Sequence, residues 1–150
     1  MKTFGVILLK NIDNTPHFLV VHKIYSNKWS FPKGQDYKVG ETHLEYAMRE
    51  LEEVTDVKPG SYLIIGAVSY ITHTFFVARL IDSKCLIHNN DPGEIDRILW
   101  VSIDVLHTFA KTYRCDSTIG GLINTGRLDD IQKILRGDII CKEYNKVKPS

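Results

Sequence analysis

The sequence predicts one α/β domain, an α/β/α sandwich in which helices cover both faces of a central sheet. Its length of 150 residues suits a single domain that spans residues 1–150. Apolar residues make up 43% and charged residues 25%, which is typical of a globular protein. Strand-like segments come first, and an amphipathic helix, further strands and further helices follow, which is the order of an α/β fold.

The first strands are predicted from two apolar runs, residues 4–9 and 17–22, which a turn cluster separates. This arrangement predicts a hairpin. Residues 29–31 predict a third short strand, which ends where proline and glycine in residues 32–34 stop regular pairing. A loop is expected to follow as far as Glu41.

A helix is predicted to begin after Thr42, because Thr42 lies three residues before Glu45 in the spacing of a capping box. In that motif a hydroxyl and a carboxylate each satisfy a free backbone N–H. One face of the helix carries apolar residues at helical spacing and is expected to pack on the sheet. These residues are Leu44, Ala47, Met48 and Leu51.

The remaining elements are predicted from periodicity and residue type. Residues 62–81 are rich in β-branched and aromatic residues and predict two strands with a break near Gly66. Residues 95–101 predict another strand, and residues 103–110 and 127–135 predict two helices. The segment between these two helices carries no readable pattern.

Composition excludes several classes of protein. The net charge of +1 does not indicate a nucleic-acid binder that depends on bulk positive charge. The three cysteines form no Cys-x-x-Cys pair, which argues against a disulfide framework or a zinc site and favours a reducing compartment. With no apolar run of about 20 residues, we expect no membrane span and a cytoplasmic or nuclear location. Residues 142–150 are expected to be a flexible tail.

The chemistry is predicted from residues 49–53, which read Arg-Glu-Leu-Glu-Glu on the predicted helix. Glu50 and Glu53 are three residues apart and share one side of the helix, beside its apolar face. Cleavage of a phosphoanhydride needs a divalent metal to neutralise charge, and Mg²⁺ takes one or two carboxylates in addition to phosphate oxygens. This spacing therefore predicts a shared metal site.

These residues resemble the signature box of the Nudix hydrolases. The family pattern is a glycine, five residues, a glutamate, seven residues and then Arg-Glu-apolar-x-Glu-Glu-x-Gly-apolar. The matching residues are Gly34, Glu41, Arg49, Glu50, Leu51 and Glu53. The resemblance implies a sandwich with a mixed central sheet, a pyrophosphohydrolase activity and Mg²⁺ or Mn²⁺ as the cofactor.

The match departs from the family pattern at three places. Six residues, not five, separate Gly34 from Glu41, which a loop accommodates cheaply. Asp56 replaces the glycine that ends the box helix, and aspartate is expected to adopt the left-handed conformation there. Val54 replaces the second glutamate of the pair, normally a principal metal ligand, and valine cannot bind a metal ion.

An alternative alignment with a one-residue deletion reads Glu52 and Glu53 as the glutamate pair. It rotates these glutamates by about 100° around the helix, away from the positions that accompany Glu50. We therefore keep the alignment in which Val54 occupies the position of the second glutamate.

A second resemblance lies in residues 93–103 and 29–34, which are similar to the catalytic domain of mRNA-decapping members of the family. It implies that Glu94 is a general base or a metal ligand. Dinucleoside polyphosphate hydrolases share a glutamate at similar spacing and the Pro-Lys-Gly loop.

The resemblance implies a role for each candidate residue. Glu50, Glu53, Glu94 and the backbone carbonyl of Lys33 are the expected metal ligands. Arg49 is expected to orient Glu50 or Glu53, and the Lys33 side chain to reach a substrate phosphate. Trp29 and Phe31 are candidates for stacking on a base. The alternative for the glutamates and Arg49 is a salt-bridged surface helix. The alternative for Lys33 is a solvated loop lysine, and the alternative for the two aromatic residues is core packing.

The leading functional hypothesis is hydrolysis of a nucleoside diphosphate-linked substrate, with the 5′ cap of mRNA preferred and m7GDP and 5′-monophosphate RNA as products. Dinucleoside polyphosphates and diphosphoinositol phosphates are alternative substrates. The competing hypothesis is a nucleotide- or RNA-binding module that does not cleave its ligand, because Val54 replaces a ligand. Candidates for RNA contact, with a solvated helix face as the default, are Lys111, Arg114, Arg127, Lys133 and Arg136.

Overall fold

The computed structural model describes residues 2–35 and 38–135. Within them the strands are β1 (Thr3–Ile12), β2 (Thr15–Lys23), β3 (Lys28–Ser30), β4 (Lys33–Gly34), β5 (Tyr62–Tyr70), β6 (His73–Leu80) and β7 (Ile95–Ser102). The helices are α1 (His43–Thr55), α2 (Ile103–Lys111), α3 (Ser117–Asn124) and α4 (Arg127–Leu135). No helix in these residues is long and apolar enough to cross a membrane. Arg136 and the predicted tail 142–150 lie outside the described residues.

The strands form one mixed sheet with β1 at its centre. Strand β1 pairs antiparallel with β2 near its end and with β4 near its start, and it pairs parallel with β6. Strand β5 extends the sheet beyond β6. On the other side, β2 pairs antiparallel with both β3 and β7. The mixed central sheet expected from the resemblance is confirmed.

Strand β1 is buried on both faces, which explains why its sequence is an uninterrupted apolar run. Val6 and Leu8 pack in a cluster with Tyr46 of α1. Ile7 and Leu9 pack in a second cluster with residues of α2, α3 and α4. Successive side chains of a strand point to opposite faces, so α1 covers one face and the other three helices cover the other. The predicted α/β/α sandwich is confirmed.

Helix α1 begins and ends as its sequence predicts. The Glu45 backbone N–H donates to the Thr42 hydroxyl at 3.0 Å, and the Thr42 N–H donates to the Glu45 carboxylate at 2.9 Å. Asp56 ends the helix in the left-handed conformation with φ 63°, and its N–H donates to the Glu52 carbonyl. Both the capping box and the aspartate cap are confirmed.

The predicted break near Gly66 is wrong. Gly66 lies at a β-bulge inside β5, and the chain turns at Ile71 and Thr72 instead. Tyr70 pairs with His73, so the turn has two residues, and Ile71 adopts a φ of 53°. A β-branched residue is an uncommon choice for a left-handed turn position, so the turn carries no sequence signal.

Two elements were not predicted. Lys33 and Gly34, expected in a loop, pair with Gly5 and Phe4 as the short strand β4. Helix α3 follows Asp116, whose side chain accepts the Ile119 N–H at 3.0 Å as an N-cap. Strand β4 lies beside α1 at the candidate site, whereas α3 packs in the core on the opposite face of the sheet.

Candidate functional site

A small pocket of about 120 Å³ lies between α1, the end of β2 and the loop of residues 88–94. Three carboxylates line it, one from α1 (Glu50) and two from the loop (Asp91 and Glu94). Lys23 at the end of β2 and Lys33 of β4 also line it. The pocket therefore combines a cluster of acidic side chains with Lys23, a lysine that can contact an anion.

Hydrogen bonds to the end of α1 hold the loop of residues 88–94 against the pocket. The backbone N–H groups of His88 and Asn90 donate to the carbonyls of Thr55 and Val54, each at 3.0 Å. The Asn90 side-chain amide also donates to the Glu52 carbonyl at 3.3 Å. The last carbonyls of a helix lack partners within the helix, so the loop satisfies them. This anchoring brings Asp91 and Glu94 to the pocket that Glu50 lines.

Val54 forms an apolar wall of the same pocket. Its side chain is 7% exposed and packs in a cluster with Val21 and Ile95. Val54 lies one helical turn after Glu50, so the two side chains share one side of α1. The position where the family pattern has its second glutamate thus faces the pocket, but it contributes hydrophobic packing.

Glu50 lies in an environment that opposes its ionisation. Burial raises the pKa of its carboxyl above the ordinary value, and the negative charges of Glu53 and Asp91 raise the pKa further. Lys23 and Arg49 act in the opposite direction. A cation placed beside Glu50 would relieve this unfavourable charge.

Gly34 lies so close to α1 that a side chain has no room there. A Cβ atom on Gly34 would lie 2.1 Å from the Tyr46 hydroxyl and 3.1 Å from the carboxyl carbon of Glu50. Tyr46 is 1% exposed and cannot easily move. The glycine of the box therefore permits the close approach of β4 to the helix that carries Glu50.

Gly34→Ala is expected to lower the free energy of unfolding by about 1–3 kcal/mol, the usual cost of overpacking, and to displace Glu50. Thermal and urea denaturation measure the loss. The control is Gly120→Ala in α3, where a Cβ would meet nothing within 4 Å. That change is expected to stabilise the protein slightly, because alanine favours a helix more than glycine. Equal stability of Gly34→Ala and the native protein would contradict the close approach.

Arg49 forms ion pairs with Glu41 and Glu53. Its Nε and Nη2 donate to the two Glu41 oxygens at 2.7 and 2.9 Å, and its Nη1 donates to Glu53 at 2.9 Å. The Glu53 side chain is 55% exposed and does not line the pocket. Arg49 thus ties the loop before α1 to the helix, and Glu53 serves as one of its partners.

The Arg49 guanidinium lowers the pKa of the Glu41 carboxyl from 4.5 to about 2. Because the folded pKa is depressed, ionised Glu41 stabilises the fold above pH 4.5, and this contribution disappears as the pH falls toward 2. We expect Glu41→Gln to lower the melting temperature at pH 7 but to have no effect near pH 2. Melting curves across this range test it. A difference that stays constant with pH would contradict the ion pair.

The predicted substrate-binding side chains lie on the other face of the sheet or in the core. The Lys33 ammonium donates to Asp116 at 2.5 Å and to the Ser30 hydroxyl at 3.2 Å. Trp29 is 3% exposed and stacks on Phe109.

Phe31 is 1% exposed and contacts Phe18 and Phe75. Buried in this way, Phe31 has no face open to a base, so stacking by Phe31 is corrected to core packing.

The donors in the pocket suit a divalent cation. Among residues 2–35 and 38–135, no three His, Cys, Asp or Glu side chains already stand close enough together to hold a metal ion. Mg²⁺, however, takes only one or two carboxylates and completes its shell with water and phosphate oxygens. Glu50, Asp91 and Glu94 supply hard oxygen donors of this kind.

Comparison with known proteins identifies the fold. No family model and no curated protein matches the sequence. The solved binary complex of a C. elegans Ap4A hydrolase is similar, with a TM-score of 0.70, 17% identity and coverage of 91% of this chain and 98% of that chain. RenU, a Nudix hydrolase from M. smegmatis, is similar with a TM-score of 0.66, 15% identity and coverage of 89% and 86%. The chain has the Nudix fold.

A third solved structure with the Nudix fold is also similar to this chain. The NUDIX domain of Shewanella oneidensis NrtR, complexed with ADP ribose, has a TM-score of 0.57, 15% identity and coverage of 87% of this chain and 86% of that chain. These likenesses span most of both chains in each case. The Nudix fold expected from the signature box is therefore confirmed.

The sequence predicts only part of this pocket. Of the predicted site residues, Glu50, Glu94 and Lys33 line the pocket and Glu53 does not. Asp91 and Lys23 line it without having been predicted. The sequence contained one usable signal for Lys23, because it ends a strand directly before the turn that leads to the box. Asp91 lies in a polar loop whose position depends on its bonds to α1.

Proposed function

We propose that this chain hydrolyses the pyrophosphate bond of a nucleoside diphosphate-linked substrate with the help of Mg²⁺ or Mn²⁺. The observation that carries the proposal is the convergence of Glu50, Asp91 and Glu94 on one pocket of a Nudix fold. Phosphoryl transfer needs charge neutralisation and positioning more than covalent chemistry from the protein, and a cation held by these carboxylates would supply both.

The metal would be held by Glu50 and Asp91, together with the backbone carbonyl of Lys33. When bound, the cation neutralises charge on the phosphate oxygens and activates water. Glu94 is the proposed general base, which takes a proton from the attacking water. The water oxygen then bonds to phosphorus, the anhydride P–O bond breaks, and the leaving phosphate carries away the electron pair. Lys23 is free to contact the substrate phosphates from the rim of the pocket.

Glu53 and Arg49 are proposed to support the site indirectly, by holding α1 and the loop before it in place. Arg49 bonds Glu41 and Glu53 on the flank of α1, and these contacts hold the loop before α1 in place. Glu53 remains a candidate ligand through water, because its charge already influences the pKa of Glu50.

Two substrate classes have specific support. The resemblance of residues 93–103 to decapping enzymes favours the 5′ cap of mRNA, with m7GDP and 5′-monophosphate RNA as products. The likeness to an Ap4A hydrolase over 91% of the chain favours dinucleoside polyphosphates equally. Diphosphoinositol phosphates are the third substrate to test.

A second candidate function is nucleotide or RNA binding without cleavage. Val54 favours it, because an apolar cluster occupies the position of an expected ligand. On this reading the Nudix fold would recognise a phosphate-containing ligand and leave it intact.

Product analysis distinguishes these functions. The protein is incubated with Mg²⁺ or Mn²⁺ and, separately, cap-labelled RNA, Ap4A and a diphosphoinositol phosphate, with Glu50→Gln as the matched control. We expect labelled m7GDP from the RNA or a mononucleotide pair from Ap4A, with neither formed by the control. If all three substrates stay intact while one of them binds, the hydrolase proposal is wrong and the binding module replaces it.

A further inference from the structure

We infer a second anion site in this protein, a pocket that binds a terminal phosphate group, on the opposite face of the sheet from the Glu50 pocket. Its volume is about 360 Å³. It is lined by His22, Asn27, Trp29, Arg97, Leu99, Phe109 and Arg114. Neighbouring residues of β2 separate the two pockets, because Val21 lines the carboxylate pocket and His22 lines this one.

Two arginines supply the charge of this pocket. Arg97 extends from β7 with a side chain that is 56% exposed, and Arg114 is also exposed. Within the residues that the structure describes, no carboxylate pairs with the Arg114 guanidinium. The acid nearest Arg97 is Asp96, 4.0 Å away, and Asp96 bonds His22 more closely at 2.6 Å. Positive charge therefore exceeds negative charge around this pocket.

The walls of the pocket are held in place by partners of their own. His22 is 5% exposed, and its ring nitrogens contact Asp96 at 2.6 Å and Asn27 at 3.0 Å. The Trp29 backbone N–H donates to the Arg114 carbonyl at 2.7 Å. This bond fixes the segment that carries Arg114 beside β3. The backbone that carries the two arginines is thus held in place, which lowers the entropic cost of binding.

The aromatic rings show which ligand the pocket can take. One face of Trp29 stacks on Phe109 with ring centres 5.3 Å apart, and the Arg97 guanidinium lies 4.9 Å from the Trp29 ring centre. No face of this indole remains for a nucleobase. A compact dianion, however, can meet two guanidinium groups through paired N–H donors. The chemistry is that of a phosphomonoester or pyrophosphate, whose attached group extends into solvent.

Calorimetric titration in the presence of EDTA tests the site, with pyrophosphate and adenosine 5′-monophosphate as probes. We expect Arg97→Gln/Arg114→Gln to weaken binding at least about tenfold, because each charge-assisted hydrogen bond contributes on that scale. Arg79→Gln is the matched control, since it removes an exposed arginine from β6. Melting curves confirm that each variant is folded.

The indole N–H resonance of Trp29, assigned with a Trp100→Phe variant, reports binding at this position. We expect this resonance to shift with either probe. Comparison of the affinities for pyrophosphate and adenosine 5′-monophosphate then distinguishes a free anion from a nucleotide as the ligand. Glu50→Gln should bind as the native protein does. Unchanged binding by the double arginine variant, or its loss in Glu50→Gln, would overturn the proposal. So would binding of a 5′-hydroxyl oligoribonucleotide with neither probe bound.

Discussion

Glu50→Gln is expected to reduce hydrolysis of the preferred substrate by at least about a hundredfold. Removal of one positioned charge from a site of developing phosphate charge costs on the order of 3 kcal/mol of transition-state stabilisation. Glutamine keeps the shape of the side chain but is a far weaker ligand for a hard cation. Steady-state kinetics at saturating Mn²⁺ measure the change, which we expect mainly in kcat.

The control for this variant is Glu53→Gln. The structure excludes Glu53 from the lining of the pocket and joins it to Arg49 at 2.9 Å. We expect a loss of less than about tenfold, because this exposed ion pair contributes little by itself. Equal losses for the two variants would mean that both glutamates bind the metal, as the helix spacing alone predicts.

Glu50→Gln is also expected to stabilise the protein when no metal is present. The folded pKa of Glu50 is raised, so this carboxyl favours folding at low pH, and that contribution is lost as the pH rises through the folded pKa. At pH 7 the cost of ionising this carboxyl in the folded state therefore opposes folding, and glutamine removes the effect. A higher melting temperature in EDTA, together with lost activity, separates a functional role of Glu50 from a structural one.

The regular elements of this fold could be predicted because their sequences carry local signals. The capping box of Thr42 and Glu45 fixes the start of α1, and Asp56 marks its end. The predicted bounds 127–135 coincide with those of α4. In each case the decisive contacts join residues close in sequence, so a pattern in one chain is sufficient.

Helix α3 could not be predicted because tertiary packing stabilises it against its own propensity. It contains two glycines, which disfavour a helix. Gly121 is nevertheless required, since a Cβ there would lie 2.1 Å from the ring of Tyr70. Ile119 and Leu122 are fully buried in the core on this face. The packing that justifies the glycine comes from a distant strand and leaves no local signal.

The candidate site was predictable on the helix and not in the loop. Glu50 followed from the spacing of the box, whereas Asp91 lies 41 positions later in a loop without regular structure. Its position depends on bonds from His88 and Asn90 to the end of α1. Val54 could be recognised as a missing ligand, but its packing against Val21 and Ile95 became evident only in three dimensions.

Val54→Glu is expected to destabilise the protein in EDTA by about 2–4 kcal/mol at pH 7. The change removes apolar packing with Val21 and Ile95, and it adds a carboxylate beside Glu50 in a pocket that already holds two others. Val54→Gln is the matched control, since it loses the same packing without adding charge. In EDTA we expect the native protein to melt highest, Val54→Gln next and Val54→Glu lowest.

Divalent metal should reverse the order of these two variants. A cation bound among Glu50, Asp91, Glu94 and the new carboxylate stabilises the folded state more, the more tightly it binds, so Mn²⁺ should raise the melting temperature of Val54→Glu the most. Activity then distinguishes the two functions. If the native carboxylates already form a working site, the added glutamate changes kcat by no more than a few fold, which is the result we expect. A gain of a hundredfold would mean that Val54 has disabled an ancestral hydrolase, and an equal response of all three proteins to Mn²⁺ would mean that this pocket holds no metal.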